Sequence, residues 1–432
     1  MTTIKSITAI EILDSRGNPT VGCTVTLDDN TQATAYVPSG ASTGQHEAYE
    51  LRDEEDDRYF GKGVRNAVAN VNQVINEALI NTDWETLWEF DKALIGLDGT
   101  NNKSLLGSNA ILSVSLAAAK AFAQSSGSIA LWDYLAKDGG TSPTLPVPML
   151  NILNGGRHAS NSTDIQEFMI IPVGFDSFSQ SLRAGVEIYH SLKSILGSLG
   201  HNLNVGDEGG FAPQLGSNEE ALELIMQAIE LSGYEAGTEI MLALDVAASE
   251  LYNSESALYV LERQGLSVNS HDLISLYTDW VDKFPIISIE DGLNEDDWDG
   301  WVELQNRLGN KVQLVGDDLL VTNINRVQTA NDLGACNSIL LKPNQIGSMS
   351  ETLQALTLAR GNGWTTVMSH RSGETEDSTI ADLAVGWAAG QIKTGAPARS
   401  DRVAKYNRLL QIEHELGDDA MFDGMKVFSD FG

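Results

Sequence analysis

A chain of 432 residues is too long for one ordinary hydrophobic core, so its length predicts two domains. Its 42% hydrophobic and 20% charged residues are typical of a globular protein. The formal net charge of −33 argues against nucleic acid as a direct partner, because phosphate would be repelled. If the substrate is an anion, cations inside the site must reverse the local field.

The sequence has no run of about 18 uncharged apolar residues and no apolar signal-peptide core near its start, so we expect no membrane span. We therefore expect a cytoplasmic protein and leave secretion or surface display open as a secondary location. The two cysteines, Cys23 and Cys336, lie in apolar runs and are expected to be buried free thiols.

The first third of the chain predicts a small α+β domain. Residues 3–37 contain three strand-like runs, which indicate an antiparallel meander. Residues 38–44 are rich in glycine and serine but lack the P-loop pattern, so they predict a loop. Helical spacing follows from Val64 to Leu79 and from Ser108 to about Ala123. The proline-rich stretch from Asp138 indicates a boundary, so we expect domains over 1–138 and 139–432.

The rest of the chain predicts a (β/α)8-type barrel. Its length is close to the roughly 250 residues of a typical barrel. Helical stretches over 273–284, 298–308 and 323–333 separate short apolar runs. The predicted strands cover 240–244, 286–289, 312–315, 338–341, 365–368 and 391–392.

Charged residues recur where these predicted strands end. They are Asp245, Glu290, Asp317, Lys342, His370 and Lys393. Because the carboxyl ends of barrel strands meet at one face, we expect these side chains to share one mouth. Converging carboxylates repel each other unless a cation lies between them, and oxygen ligands suit Mg²⁺. For each acid taken singly, an ordinary surface carboxylate remains the alternative.

The basic residues of the same mouth suggest proton transfer and anion binding. Two lysines near a divalent cation would have depressed pKa values, so Lys342 could act as a neutral general base while Lys393 positions an anion. His370, Arg371 and Ser372 offer a cation, a bidentate donor and a hydroxyl, which suit a phosphate. The alternatives are a Lys342 that reaches solvent and an Arg371 that forms a structural salt bridge.

Two further segments place acids on loops beside glycines. His158 follows Gly155-Gly156 and precedes Gln166 and Glu167, and Glu208 is flanked by Gly206 and Gly209-Gly210. Glycine-flanked loops approach ligands or other backbone closely. A structural role for His158, and solvent as the partner of Glu167 and Glu208, remain alternatives.

At this point the chain resembles a known family, the enolases (phosphopyruvate hydratases), of bacterial type. The matching segments run almost from end to end: DSRGNPTV, VPSGASTG, LNGG-x-HA, QEFMI, GDEGG, LDVAASE, SIED, VGDDLLVTN, LLKPNQIGS, SHRSGETED and QIKTGAPARSDRVAKYN. The resemblance implies reversible dehydration of 2-phospho-D-glycerate to phosphoenolpyruvate in glycolysis and gluconeogenesis. A Lys or His base with one or two Mg²⁺ stabilising an ene-diolate is the established pattern of enolase-superfamily sites.

The resemblance also implies a role for each matched residue. Lys342 would be the base, Glu208 would protonate the departing hydroxyl, and Glu167 would assist it. Asp245, Glu290 and Asp317 would hold the first Mg²⁺. A second Mg²⁺ would arrive with the substrate, with Ser42 as its protein ligand on a lid formed by residues 38–44. Binding of the phosphate and of the rest of the substrate would fall to Arg371, Ser372, His370, Lys393, His158 and Gln166.

The family further implies a homo-oligomer, either a dimer or an octamer, and leaves docking to an RNA-degradation complex open. Two rivals remain: another enolase-superfamily dehydratase, and a non-catalytic binding protein on the same scaffold. No proposed catalytic position is substituted, so the sequence favours the enzyme.

Overall fold

A computed structural model of the protein describes residues 1–40, 44–54, 57–128, 130–159 and 162–431. Its chain forms an antiparallel sheet with helices, followed by a closed eight-stranded barrel. This architecture confirms the predicted fold class, a (β/α)8-type barrel preceded by a smaller α+β domain.

Within the described residues, the N-terminal part contains four strands and five α-helices. They are β1 (Thr2–Leu13), β2 (Pro19–Leu27), β3 (Gln32–Tyr36), α1 (Arg65–Asn70), α2 (Asn76–Leu79), β4 (Asp83–Trp84), α3 (Leu87–Asp98), α4 (Ser108–Ser125) and α5 (Leu131–Gly139).

The predicted meander is confirmed, because β1 pairs antiparallel with β2, and β2 with β3. A turn of π-helix at Val71–Ile75 joins α1 to α2, so the predicted apolar repeat forms one continuous helical segment. Helix α4 is buried along almost its whole length and packs against β2 and β3. Its alanine-rich sequence allows this close approach because small side chains leave room for the sheet.

The C-terminal part contains the barrel strands, its helices and a short three-stranded sheet. They are β5 (Val147–Asn154), β6 (Glu167–Pro172), α6 (Phe178–Ser198), α7 (Asn218–Leu231), β7 (Ile240–Asp245), β8 (Tyr252–Asn253), β9 (Leu258–Leu261), β10 (Leu266–Val268), α8 (Ser270–Lys283), β11 (Ile286–Glu290), α9 (Trp298–Leu308), β12 (Gln313–Gly316), α10 (Ile324–Leu333), β13 (Ser338–Leu341), α11 (Pro343–Ile346), α12 (Met349–Gly361), β14 (Thr365–Ser369), α13 (Thr379–Gly386), β15 (Gln391–Lys393) and α14 (Ser400–Leu416).

The barrel closes in the order β11-β12-β13-β14-β15-β5-β6-β7. Seven strands run parallel, but β6 runs antiparallel to both of its neighbours, β5 and β7. The sequence analysis did not identify this reversal. Its consequence is that the first residue of β6 lies at the same barrel face as the last residues of β5 and β7.

The interior of the barrel is a packed apolar core. Side chains such as Met149, Met169, Val315, Leu340 and Val367 fill it. Leucine, valine and isoleucine runs that are buried on both faces are typical of barrel strands. Both cysteines are buried and free, as expected.

The two parts of the chain are joined by backbone and side-chain contacts near the barrel mouth. Ser39 and Gly373 exchange two backbone hydrogen bonds of 2.8 and 2.9 Å. Asp377 accepts from the backbone of Tyr36 and from Lys120, so it ties β3 and α4 to the segment after β14. The division at residues 138 and 139 stays a prediction. Across the described ranges, no helix combines the length and the apolar character that a bilayer crossing requires.

Asp91 gives a test of this packing. Its buried carboxylate, on α3, accepts a 2.9 Å hydrogen bond from the backbone of Ser350 near the start of α12, while Oδ1 is unpaired among the described residues. Burial raises the pKa of Asp91 to about 6 from an ordinary 3.8. Below pH 3.8, the neutral carboxyl group of Asp91 therefore stabilises the folded state relative to the unfolded state. This contribution to the free energy of unfolding is lost as the pH rises through 6.

We therefore expect Asp91→Asn to raise the free energy of unfolding at pH 8 by about 3 kcal/mol, because the amide carries no charge into the interior. The gain should shrink toward pH 4. Unfolding midpoints at both pH values measure it, with the exposed Asp418→Asn as the matched control. A loss of stability at pH 8 in Asp91→Asn would contradict this account.

Candidate active site

A pocket of about 390 Å³, partly open to solvent, lies at the mouth of the barrel. All but one of the predicted site residues that the structure describes line it; Glu290 lies buried beside them, and Ser42 lies outside the described residues. The lining residues are His158, Gln166, Glu167, Glu208, Asp245, Ala247, Asp291, Asp317, Asp318, Lys342, Ser369, His370, Arg371, Ser372 and Lys393.

Strand ends explain this convergence. Asp245, Glu290 and Lys393 are the last residues of β7, β11 and β15, and Lys342 directly follows β13. Glu167 is the first residue of β6 and reaches the same mouth because that strand is reversed; it pairs directly with Asp245.

The positive charge of Lys393 is paired with three of the carboxylates. Its Nζ lies 2.7 Å from Asp245, 2.8 Å from Glu290 and 3.3 Å from Glu167. Burial works against the charge on Lys393, but these carboxylates outweigh it and hold the pKa well above its ordinary value. The depression of the Lys393 pKa was expected for a lysine beside a divalent cation, and it stays a prediction.

Lys342 forms an ion pair with Asp317, whose other oxygen accepts a 2.8 Å hydrogen bond from Gln345. Burial again opposes the charge, yet Asp317 raises the pKa of Lys342 above its ordinary value. The depression of the Lys342 pKa expected beside a divalent cation also stays a prediction. Lys342 is a cation in this arrangement, and it becomes a base only when the ion pair opens.

The donor set around Glu290 fits a hard divalent cation. Its Oε2 is buried and has no hydrogen-bond partner among the described residues. Burial, together with Asp245, raises the pKa of Glu290 well above its ordinary value. Asp245, Glu290 and Asp317 offer only oxygen ligands, the kind that Mg²⁺ prefers. A divalent cation would give the unpaired Oε2 of Glu290 a partner and would offset the repulsion between the carboxylates.

The sequence analysis gave no role to two acids beside these ligands. Asp291, Asp317 and Asp318 form a group whose oxygens lie within 4.8 Å of one another. Asp291 accepts 2.9 Å hydrogen bonds from the backbone of Asp317 and of Asp318, so it orients that segment. The only signal in the sequence was that a second acid directly follows Glu290 and another directly follows Asp317.

A second group joins two acids through an imidazole. His158 lies 3.6 Å from Glu167 and 3.7 Å from Glu208. Burial and the charge of Glu208 raise the pKa of Glu167 well above its ordinary value. The pKa of Glu208 lies well below its ordinary value in spite of burial, because His370 and His158 face it. The pKa values of the two acids are thus shifted in opposite directions, with the neutral form favoured at Glu167 and the charged form at Glu208.

His370 is neutral, contrary to the expectation that it supplies a cation. Arg402 meets its Nδ1, and because arginine can only donate, Nδ1 must be the acceptor. The ring proton is then on Nε2, which lies 3.3 Å from Glu208. Burial is the main cause that lowers the pKa of His370 to about 4. Asn151 donates a further 3.0 Å hydrogen bond to Glu208.

The guanidinium of Arg371 forms the salt bridge that was left open as an alternative. It meets both oxygens of Glu47, at 3.0 and 3.1 Å, and Nη1 donates a 3.0 Å hydrogen bond to Asn344. Burial opposes its charge, but Glu47 outweighs burial and raises the pKa of Arg371. The neighbouring Ser372 lines the pocket.

Helix α14 supports this segment with buried cations that the sequence analysis did not single out. Arg402 donates to the backbone carbonyls of Arg371 and Ser372. Lys405 pairs with Glu374 at 2.8 Å. Since buried cations need fixed partners, these contacts hold the segment in one conformation.

Together these features define a class: barrel enzymes whose mouth combines a lysine, paired carboxylates and oxygen ligands for a metal, an arrangement suited to acid–base chemistry. The comparison with known families identifies the particular one. The family model described as "Enolase, N-terminal domain" matches residues 4–135, and "Enolase, C-terminal TIM barrel domain" matches residues 142–431. The chain belongs to the enolase family, which confirms the resemblance and indicates a lyase-type enzyme of the enolase superfamily.

The metal site can be tested without an activity assay. Mg²⁺ that binds only the folded chain should stabilise it, by about 2.7 kcal/mol at a hundredfold excess over Kd. Glu290→Gln should abolish most of this increase, because it removes a charged ligand. The measurement is the unfolding midpoint with Mg²⁺ and with a chelator, and Glu303→Gln, an exposed pair with His271, is the matched control. Equal Mg²⁺ shifts in both variants would refute the assignment.

Proposed function

We propose that this protein catalyses the reversible dehydration of 2-phospho-D-glycerate to phosphoenolpyruvate. One observation carries the proposal: a lysine and a carboxylate pair face each other across the pocket. Lys342 follows β13 and Glu167 begins β6, and these strands are four steps apart in either direction around the barrel. A base on one wall and an acid on the other suit removal of a proton and a hydroxyl from neighbouring carbons.

Lys342 is proposed as the base. The proton to be removed lies beside a carboxylate, so its loss creates a doubly charged ene-diolate that needs a cationic environment. Lys393 holds its charge within this pocket and supplies part of that environment. Mg²⁺ held by Asp245, Glu290 and Asp317 would supply the rest as a Lewis acid.

Glu208 and Glu167 are proposed as the acid side. Hydroxide is a poor leaving group, so a proton has to reach it as it departs. Glu208 is assigned to meet the hydroxyl, and Glu167 assists by holding the proton of the pair. His158 lies between them and keeps the two carboxyl groups in one cluster.

The remaining residues are assigned to substrate binding. Arg371 and Ser372 would take the phosphate, and Lys393, His158 and Gln166 would position the rest, with neutral His370 beside Glu208. Acids outnumber basic residues in the pocket lining, so bound Mg²⁺ together with Lys342, Arg371 and Lys393 would have to offset the field of a chain whose net charge is −33. Ser42 as a ligand of a second Mg²⁺, the 38–44 lid, the homo-oligomer, an RNA-degradation complex and a cytoplasmic location stay predictions.

The first test is the rise in ultraviolet absorbance as the enol product forms from 2-phosphoglycerate with Mg²⁺. We expect turnover by the unaltered chain and a loss of about 10²–10⁴-fold in kcat for Lys342→Ala, the range for removal of a general base. Lys311→Ala is the matched control, because Lys311 is an exposed lysine paired with Asp282.

Two results would count against the proposal. Unchanged kcat in Lys342→Ala would exclude Lys342 as the base. No turnover by the folded, Mg²⁺-supplied chain would exclude the reaction and favour a binding role for the scaffold.

A further inference from the structure

The residue proposed to bind phosphate already holds an anion that belongs to the chain itself. Glu47 faces the guanidinium of Arg371 with both oxygens, at 3.0 and 3.1 Å. Their side chains are only 10% and 3% exposed. A bidentate, largely buried pair of this kind is strong, because little water competes for it.

The Glu47 carboxylate is also held from its own side. The backbone N–H of Gly44 donates to Oε1 at 3.1 Å, and the N–H of Glu47 donates to the carbonyl of Gly44 at 3.2 Å. This short turn orients the carboxylate toward the barrel. Glu47 is therefore an anchored counter-ion of Arg371, which lines the pocket, rather than a mobile surface acid.

A phosphate and a carboxylate use the same face of a guanidinium. Arginine binds either one through two parallel N–H donors, so one fork cannot serve both fully. Glu47 occupies the Nη1–Nη2 edge of Arg371, so a phosphate that takes this same edge has to displace Glu47. The apparent affinity of the anion is then reduced by the fraction of molecules in which Arg371 is already occupied.

We propose that Glu47 is a built-in competitor for the phosphate group of the substrate. The competitor role rests on the proposed function in one respect, which is the assignment of Arg371 to the phosphate. Between turnovers, Glu47 keeps the buried guanidinium of Arg371 paired. An anion must therefore bind tightly enough to displace Glu47 before it can reach Arg371. Chance anions are thereby kept from Arg371, while a substrate that makes further contacts in the pocket overcomes the competition.

This role differs from simple positioning. If Glu47 only oriented Arg371, its removal would weaken phosphate binding, because the guanidinium would lose its support. If Glu47 competes, its removal strengthens binding. Direct competition also predicts the same fold-change for a monoanion and a dianion, whereas repulsion without displacement would affect the dianion more.

The experiment uses the full chain and two probes of matched shape at pH 8, methyl phosphate and methyl sulfate, with Kd measured by calorimetry. Glu47→Gln should lower the Kd of both probes by a similar factor, about tenfold, since removal of a competing state restores the intrinsic affinity. Glu303→Gln is the matched control, because Glu303 is an exposed acid that pairs with His271 rather than with Arg371. It should leave both Kd values unchanged.

Two further variants keep the test decisive. Glu47→Asp retains the charge but shortens the side chain, so it should give a smaller gain in the same direction and serves if the glutamine variant does not fold. In an Arg371→Gln background, Glu47→Gln should have no effect. In turnover assays, Glu47→Gln should lower KM for 2-phosphoglycerate without raising kcat.

Unchanged or weaker binding of both probes in Glu47→Gln would overturn the competitor role, as would a gain confined to methyl phosphate. These outcomes are separable from those of the proposed function. Turnover without a gain in Glu47→Gln would reject the competitor and keep the reaction. A gain for both probes without turnover would keep the competitor and reject the reaction.

Discussion

The arrangement of the barrel mouth depends on the balance between buried carboxylates and the few cations among them. Lys393 contacts Asp245, Glu290 and Glu167, and Lys342 pairs with Asp317. Each carboxylate in isolation would be costly in this environment, and each lysine would be too. The site is therefore stable only as a set, and the unpaired oxygen of Glu290 marks the place where a divalent cation would complete it.

The same balance of buried charges distinguishes the lysine side of the pocket from the glutamate side. On the β13 side, one acid holds a lysine in its charged form; on the β6 side, two acids with opposite pKa shifts lie beside an imidazole. The reversal of β6 makes this possible, because it delivers Glu167 to the mouth from the start of a strand rather than from its end. Helix α14 then fixes the His370 tautomer and the Arg371 backbone from behind. The proposed base and the proposed acid thus lie on opposite walls of one pocket.

Much of this was predictable from sequence, and the failures have physical causes. Apolar runs that end on Asp245, Glu290 and Lys393 predicted barrel strands and a shared mouth, since strand period and strand-end position are local properties. The charge of His370 was predicted wrongly, because it depends on a partner, Arg402, that is distant in sequence. Glu47 and Asn151 were missed for the same reason, because the local sequence does not show which distant residue a side chain will contact.

The division of proton transfer between the two walls is tested most directly by exchange of hydrogen at carbon 2. The measurement is deuterium incorporation from D₂O into 2-phosphoglycerate, followed together with formation of the enol product, in Lys342→Ala and Glu208→Gln. A base and an acid on opposite walls predict that Glu208→Gln still incorporates deuterium while dehydration stops, and that Lys342→Ala loses both. Deuterium incorporation that survives in Lys342→Ala, or that disappears in a folded Glu208→Gln, would contradict the account.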